Sequence, residues 1–231
     1  RCIYTDTHEN MWICTSGKGV YELTADEELL VYDSNNGAGG SKFRTMVELE
    51  GGEMLAAGDL GLTFIKNGEV KNIVGYQDGM NNPKVLCAIE QSDGTILAGT
   101  DGNGIDVIKD GKVVGNLGKD DGLSSEVVLR MVKDEENGGI FVVTSNNICY
   151  MDNEGIRILD NFPYYNNYDV VVGSDNTLFV LSSAGIYVVD KNEMLAGKDI
   201  EYKLLDSRAG LDAALTPNAW NGIDEDGDVY L

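Results

Sequence analysis

Cationic side chains are scarce in this chain: seventeen Lys and Arg stand against thirty-nine Asp and Glu, a formal net charge of −22 over 231 residues. No basic cluster exists to neutralise a phosphate backbone, which excludes nucleic acid as a partner. The acidic excess also weighs against a polyanionic ligand and an anionic membrane surface, and reads as a solubilising exterior. Long hydrophobic runs are missing too. No stretch approaches eighteen apolar residues, and the opening RCIYTDTHENMW lacks the basic region and apolar run of a signal peptide. No direct membrane insertion is expected from this segment, and any targeting element is expected elsewhere in a longer parent chain. Cys2, Cys14, Cys87 and Cys149 are scattered without a CxxC pair, so a structural zinc site has no support, and no metal or cofactor is expected. Histidine occurs once, as His8 in THEN. Helical periodicity of 3.6 residues is absent throughout.

What the chain has instead is a repeat. MWICTSGKGVYEL from Met11, MLAAGDLGLTFI from Met54, ILAGTDGNGIDVI from Ile96, IFVVTSNNICYM from Ile140 and LFVLSSAGIYVV from Leu178 follow one template, with a truncated VYL from Val229. Each is a short apolar run, a small residue, a polar or glycine turn and a second β-rich run. Aligning Trp12, Leu55, Leu97, Phe141, Phe179 and Tyr230 gives spacings of 43, 42, 44, 38 and 51. A turn rich in Asp, Gly, Asn or Glu precedes each copy, and a fourth run such as GEVKNIVGY or GKVVGNLGK follows. Four strands per unit at this period predict an all-β fold, a β-propeller built of four-stranded blades.

The glycines of DGTILAGTDGNGIDVI (residues 93–108) raise the question of a phosphate cradle. Such a cradle must open a helix, so that its amides face the anion. Gly104 is followed instead by the alternating IDVI, which predicts a strand. Gly102 and Gly104 are read as the bend between a blade's second and third strands. Gly19, Gly61 and Gly185 stand at equivalent places, and Asn147 substitutes where a positive φ is expected.

The units run approximately over 1–43, 44–85, 86–128, 129–168 and 169–220, and residues 221–231 begin a sixth. Five complete units plus the start of a sixth predict a fragment of a larger propeller of about seven blades, because rings close with four to eight blades so that no edge is left bare. Exposed apolar blade faces would then make a homodimer through the propeller possible. Cys2 and Cys87 fall at equivalent first-strand positions a blade apart. Cys14 is read as having the opposite parity to Cys2 across their hairpin, and Cys149 as lying on a third strand. All four are therefore expected to be small buried residues rather than bridges.

The segments DDGLSSEVVLRMVKDEENGGIFVVTSNNICYMD and YQDGMNNPKVLCAIEQSDGTILAGTDGNGIDVI resemble the two-component regulator propeller repeat. Its pattern runs roughly D-G-L-x-x-N-x-V, then D-x-x-G-x-L-W-x-G-T, then G-L or G-I. Trp12 in DTHENMWICTSGKGVYEL keeps the tryptophan, other units replace it by Leu or Phe, and the Gly-Thr pair is intact only at Gly99 and Thr100. The resemblance implies a sensor: the extracytoplasmic, periplasmic or cell-surface, input region of membrane-anchored bacterial histidine kinases, hybrid kinases or diguanylate cyclases, without the output machinery.

Propeller topology puts the turns between second and third strands, and the crossovers between blades, on one face. Rigidly scaffolded loops of this kind are the expected ligand surface. The candidates from the internal turns are Asp59, Asp101, Asn103, Asn146 and Asn147. The crossovers add Asn81, Asn82, Ser124, Ser125, Tyr164, Tyr165, Asn166, Asn167, Asn218 and Trp220. Aromatic rings beside amides in PYYNNYD and TPNAWNG suit a small polar, carbohydrate-like ligand, although Asn and Tyr are also ordinary loop residues. DEDGD lacks the frame of an EF-hand. No catalytic residue is assigned: His8 lies on the opposite face, without a nucleophile in expected reach. Alternatives are a protein-binding scaffold and, behind it, a propeller hydrolase or lyase.

Overall fold

The computed structural model describes residues 2–163, 166–173, 175–212, 215–216, 221–223 and 229–230. The chain divides into two compact units, Arg1–Leu117 and Gly118–Leu231. In the first unit, one sheet contains β1 (Cys2–Thr5), β2 (Met11–Cys14), β3 (Val20–Leu23) and β4 (Leu29–Tyr32). The second contains β5 (Phe43–Glu48), β6 (Met54–Gly58), β7 (Gly61–Lys66) and β8 (Glu69–Val74), and the third β9 (Val85–Glu90), β10 (Ile96–Thr100), β11 (Ile105–Lys109) and β12 (Lys112–Leu117). The second unit has β13 (Val128–Asp134), β14 (Gly139–Thr144), β15 (Ile148–Asp152) and β16 (Gly155–Ile158) in one sheet. Its other four-stranded sheet is β17 (Asn167–Val172), β18 (Thr177–Ser182), β19 (Gly185–Asp190) and β20 (Tyr202–Leu205), and a short pair follows, β21 (Gly222–Ile223) with β22 (Val229–Tyr230). Each four-stranded sheet is an antiparallel meander in chain order, the blade of a propeller. A five-residue helix, α1 (Lys191–Leu195), precedes β20 and is capped by Asp190, whose Oδ1 accepts the Glu193 amide at 2.9 Å.

Burial follows strand position. MLAAG of β6 and ILAGT of β10 are buried at every residue, because second strands are covered on both faces and so read as continuous apolar runs. Fourth strands such as EVKNIV and KVVGNL alternate and expose charge, which blunts the unpaired edge. Between the second and third blades, Leu55, Ala57, Leu62 and Phe64 pack with Ala88, Ala98 and Ile108. In the other unit, Phe141, Val143, Ile148 and Tyr150 pack with Val170, Leu178, Val180 and Tyr187. The interblade layers are therefore the hydrophobic cores.

The bend entering a third strand needs glycine for a steric reason. At Gly61 φ is +111°, and a Cβ would stand 2.0 Å from the Val74 carbonyl oxygen at the end of the blade's fourth strand. Gly19 meets the Tyr32 carbonyl in the same way, at 2.1 Å. Gly104 leads into β11, a strand, so the glycine cluster opens no helix. Asn147 departs from expectation. It is not among the residues with positive φ; its amide donates to Thr144 Oγ1 at 3.1 Å and its carbonyl accepts the Thr144 amide at 2.9 Å, a side-chain-closed turn.

The crossovers also repeat. After β8 the chain forms a single 3₁₀ turn, Tyr76–Asp78, in which Asp78 Oδ2 accepts the Gly75 amide at 3.1 Å and Gly79 takes φ +103°. After β12 the turn Lys119–Asp121 does the same, with Asp121 on Gly118 at 2.8 Å and Gly122 at φ +111°. Met80 and Leu123 then plug the core at 1% and 3% exposure. The Asp-Gly-Leu signature is thus a capped turn, a left-handed glycine and a plug that aims the following crossover.

The cysteines are buried, as expected, but the parity assigned to one pair was wrong. Cys2 and Cys14 are direct cross-strand partners in the β1–β2 ladder. With four register pairs, Cys2↔Cys14 through Thr5↔Met11, the hairpin closes one register away from that reading, and a one-residue slip exchanges faces.

Candidate functional site

In the second to fifth blades, one end carries the turn between the second and third strands together with the crossover into the first strand. A recurrent hydrogen bond ties the two. Asp59 N–H donates to the Lys42 carbonyl at 3.1 Å, Asp101 to Lys84 at 2.9 Å, Ser145 to Val127 at 3.0 Å and Ser183 to Asn166 at 3.3 Å. Just beyond it, first strands β5, β9, β13 and β17 each carry a bulge, with Arg44, Leu86, Leu129 and Tyr168 as the extra residue. Bulges re-aim side chains at strand ends, and here the device recurs at one register position in four blades.

In the first unit this end holds a pocket of about 400 Å³ lined by Gly17, Gly39, Gly40, Ser41, Lys42, Asp59 and Leu60. Three glycines leave backbone at its wall. Ser41 contributes a hydroxyl, Lys42 an exposed ammonium and Asp59 a carboxylate whose Oδ1 lies 3.7 Å from Arg44 Nε. Leu60, 55% exposed, supplies an apolar surface. The volume lies within the range of about 300–1,000 Å³ for small-molecule sites. Asp59 was among the sequence candidates; Ser41, Lys42 and Leu60 were not, because nothing in their spacing marks them before the crossover is placed beside the turn.

The other candidates of this unit, Asn81 apart, are engaged within the protein. Asn82 Nδ2 donates to the Asp101 carbonyl at 2.7 Å and its Oδ1 accepts the Lys84 amide at 3.1 Å, while the Lys84 ammonium contacts the Asp101 carboxylate. Asn103 Nδ2 donates to Asp106 Oδ1 at 3.1 Å, as Asn116 Nδ2 does at 2.9 Å. Asp106 is 1% exposed and its Oδ2 has no partner among the described residues. Burial outweighs the two amide donors and raises its carboxyl above the ordinary range. Asn81 is exposed.

In the second unit, Ser124 and Thr144 hydroxyls lie 2.7 Å apart, as do those of Ser125 and Ser145, and Asn146 Nδ2 donates to the Ser124 carbonyl at 3.0 Å. Asn147 closes the turn described above. Asn167 is not a loop residue: it begins β17 with 2% exposure. Two residues on, Asp169 Oδ2 receives Arg130 Nε at 3.1 Å and Asn221 Nδ2 at 2.9 Å. Burial lifts the Asp169 carboxyl above its usual value despite Arg130 and Asn221. Sequence reasoning missed this inner-strand pair because Arg130 and Asp169 lie in separate repeats and carry no motif. Tyr164, Tyr165, Asn218 and Trp220 lie outside the described residues.

The opposite end of the first two blades, at the tips β1–β2 and β5–β6, holds a second cavity of about 220 Å³, whose lining includes Asp6, His8, Trp12, Glu22 and Lys66. Asp6 is saturated there. Its Oδ1 accepts the His8 and Asn10 amides at 2.9 and 2.8 Å, and its Oδ2 accepts Asn10 Nδ2 at 2.9 Å and Trp12 Nε1 at 2.8 Å. Burial raises the Asp6 carboxyl, but these donors more than offset it and the net shift is downward. The arrangement is a structural turn. His8, the sole histidine, has its Nδ1 3.4 Å from the Thr7 hydroxyl on an exposed tip, an interaction that does not activate a nucleophile for chemistry.

Five four-stranded antiparallel blades, four of them with this repeated end, define an all-β propeller. No protein-family model matches the sequence, and none of the curated proteins does either. Solved structures do. The extracellular domain of the two-component system BT3049 from B. thetaiotaomicron aligns with a TM-score of 0.75 at 14% identity, over 98% of this chain and 31% of that one. The extracellular domain of BT4673 from the same organism aligns with a TM-score of 0.73 at 15% identity, over 96% of this chain and 31% of that one. Virginiamycin B lyase from Staphylococcus aureus aligns at 0.67 and 15% identity, over 90% of this chain and 70% of that one. The chain thus spans about a third of the first two structures, and the likeness establishes the propeller fold that the repeat predicted.

Proposed function

We propose that this chain is the ligand-sensing, non-catalytic propeller region of a membrane-anchored bacterial signal receptor, lying outside the cytoplasm, and that it recognises a small polar, carbohydrate-like ligand. The observation that carries the reading is the pocket at the turn-and-crossover end of the first two blades, where a hydroxyl, an ammonium, a carboxylate and exposed backbone surround one aliphatic side chain. Such a set exchanges hydrogen bonds with several hydroxyl groups while Leu60 covers an apolar ring face. The resemblance of the repeat to two-component regulator propellers supports the receptor context, as do the extracellular domains among the structural neighbours. The output domain would lie elsewhere in the parent protein.

A lyase activity, suggested by the virginiamycin B lyase likeness, is the weaker reading. An inactive variant of that enzyme replaces a histidine by alanine, whereas His8 here stands at the end away from the pocket. The test is a thermal-shift screen of neutral oligosaccharides, followed by titration calorimetry on Asp59→Ala and Lys42→Ala. A hit whose affinity falls about tenfold in either variant, equivalent to about 1.4 kcal/mol, supports the assignment. A folded chain unmoved by every oligosaccharide, yet able to capture a protein partner, would replace it by the scaffold reading.

A further inference from the structure

We infer that Cys2 and Cys14 form an intramolecular disulfide that staples the first hairpin of the first blade. The two are direct partners in the β1–β2 ladder, and each is 1% exposed. Directly opposed residues of an antiparallel pair have Cα atoms about 4.5 or 5.5 Å apart, within the span of about 4.4–6.8 Å that a disulfide bridges. The pairing register is therefore compatible with a bridge. The thiols already touch: Cys14 is hydrogen-bonded to Cys2, and that contact together with burial pushes the Cys14 thiol up.

The other two cysteines lack this geometry. Cys87 pairs with Gly99, and Cys149 with Val142 and Ile158. The position equivalent to Cys2 is Thr45 opposite Ala57 in the second blade, Arg130 opposite Val143 in the fourth and Asp169 opposite Leu181 in the fifth. Only the first blade carries sulfur on both sides of this rung.

The reaction is a two-electron oxidation by a small-molecule or protein disulfide, such as oxidised glutathione. One cysteine thiolate attacks a sulfur of the acceptor, giving a mixed disulfide and releasing one thiol. The second thiolate then attacks the cysteine sulfur of that mixed disulfide, closing Cys2–Cys14 and releasing the second thiol. Both cysteines are buried in the folded blade, so the bond closes while the hairpin is still open during folding, and the finished blade then protects it. In the cell this rests on the extracytoplasmic reading above, since disulfides persist in oxidising compartments; in a refolding buffer it does not, so failure of either is recognised separately.

The test uses the unaltered 231-residue chain, refolded from urea with a mixture of reduced and oxidised glutathione, alkylated, and mapped by mass spectrometry without reduction. The expected result is alkylation of Cys87 and Cys149 together with a linked peptide pair containing Cys2 and Cys14, lighter by two hydrogens. Alkylation of all four cysteines, a bond that includes Cys87 or Cys149, or glutathione retained on Cys2 or Cys14 overturns the proposal. As a second readout, dithiothreitol lowers the urea midpoint of the native sequence and of Cys87→Ser, and leaves that of the Cys2→Ser, Cys14→Ser double variant unmoved. Equal sensitivity in all three overturns it.

Discussion

Lys191 Nζ, on the first residue of α1, lies 2.7 Å from Oδ1 of Asp134 at the end of β13, and each residue is 1% exposed. The pair bridges the fourth and fifth blades. Asp134 Oδ2 is completed by Tyr150 Oη at 3.0 Å and Asn137 Nδ2 at 2.8 Å, and Lys191 also reaches Glu136 at 2.8 Å. Replacing Lys191 by Met leaves a buried carboxylate without its cation, and the expected cost is about 3–5 kcal/mol at neutral pH. Urea unfolding checks this, and a loss below about 1 kcal/mol would mean that water reaches Asp134.

The same pair sets part of the acid and alkaline limits. Burial raises the Asp134 carboxyl, but the hydrogen bonds from Lys191, Asn137 and Tyr150 and the lysine charge bring it below its ordinary 3.8. A depressed folded value means that its stabilisation is present above 3.8 and is lost as pH falls through the lower native value. For Lys191, burial is outweighed by Asp134 and Glu136, and the ammonium is held above 10.5. Its contribution is present below 10.5 and disappears as pH rises through the higher native value. Lys191→Met is therefore expected to flatten the stability profile at both extremes, as measured by melting temperature against pH.

Asp106 has the opposite sign. Its native carboxyl is raised above 3.8 by burial, so the folded state holds the proton more tightly than the unfolded chain, and stability falls as pH rises from 3.8 through the native value. Asp106→Asn keeps an acceptor for Asn103 and Asn116 and removes the charge. It is expected to match or exceed the native protein in stability at pH 7 and to lose that advantage below pH 4. A variant less stable at pH 7 by more than about 1 kcal/mol would show that the ionised carboxylate is compensated by a partner such as ordered water.

Gly61→Ala confronts a φ of +111° and a carbonyl 2.0 Å from the new Cβ, whereas Gly51→Ala meets a φ of +93° in open space. Both changes strain the backbone, by about 1–3 kcal/mol. Only Gly61 adds a backbone collision that separates β7 from the end of β8. The expected order of urea midpoints is native, Gly51→Ala, Gly61→Ala, and equal losses would show that conformational strain alone governs the bend.

These sites mark where the sequence was legible. The repeating apolar runs and turns announced four-stranded sheets, because second strands such as MLAAG are buried on both faces and their composition records it. The Asp-Gly-Leu signature showed where crossovers lie, though not that Asp121 caps a 3₁₀ turn. Pairings across repeats stayed hidden. Arg130 with Asp169 and Lys191 with Asp134 are separated by whole strands, and nothing local at one residue announces the other. The parity of Cys14 failed for a related reason: register depends on hairpin closure, which a run of polar turn residues leaves undetermined. The pocket residues Ser41 and Lys42 became visible only once a β-bridge, Ser16 with Lys42, laid the crossover against the preceding turn.

The outer face of the first blade leads to the last expectation. Its cross-strand rows are Ile3, Ile13, Tyr21, Val31 and Thr5, Met11, Leu23, Leu29. Met11 is 40% and Leu23 39% exposed, whereas the register equivalents in the second blade, Met54 and Ile65, are 3% and 1% exposed beneath a neighbouring blade. Contiguous apolar sheet faces favour association in water, and self-complementary pairing of two copies of the 231-residue chain through this one would give a closed dimer. The weight-average mass of the 231-residue chain is expected to rise with concentration in sedimentation equilibrium. Met11→Lys with Leu29→Lys, both at exposed positions and so tolerated by the fold, is expected to hold it at the monomer mass. A native chain that stays monomeric at every concentration would show that the face is tolerated in water.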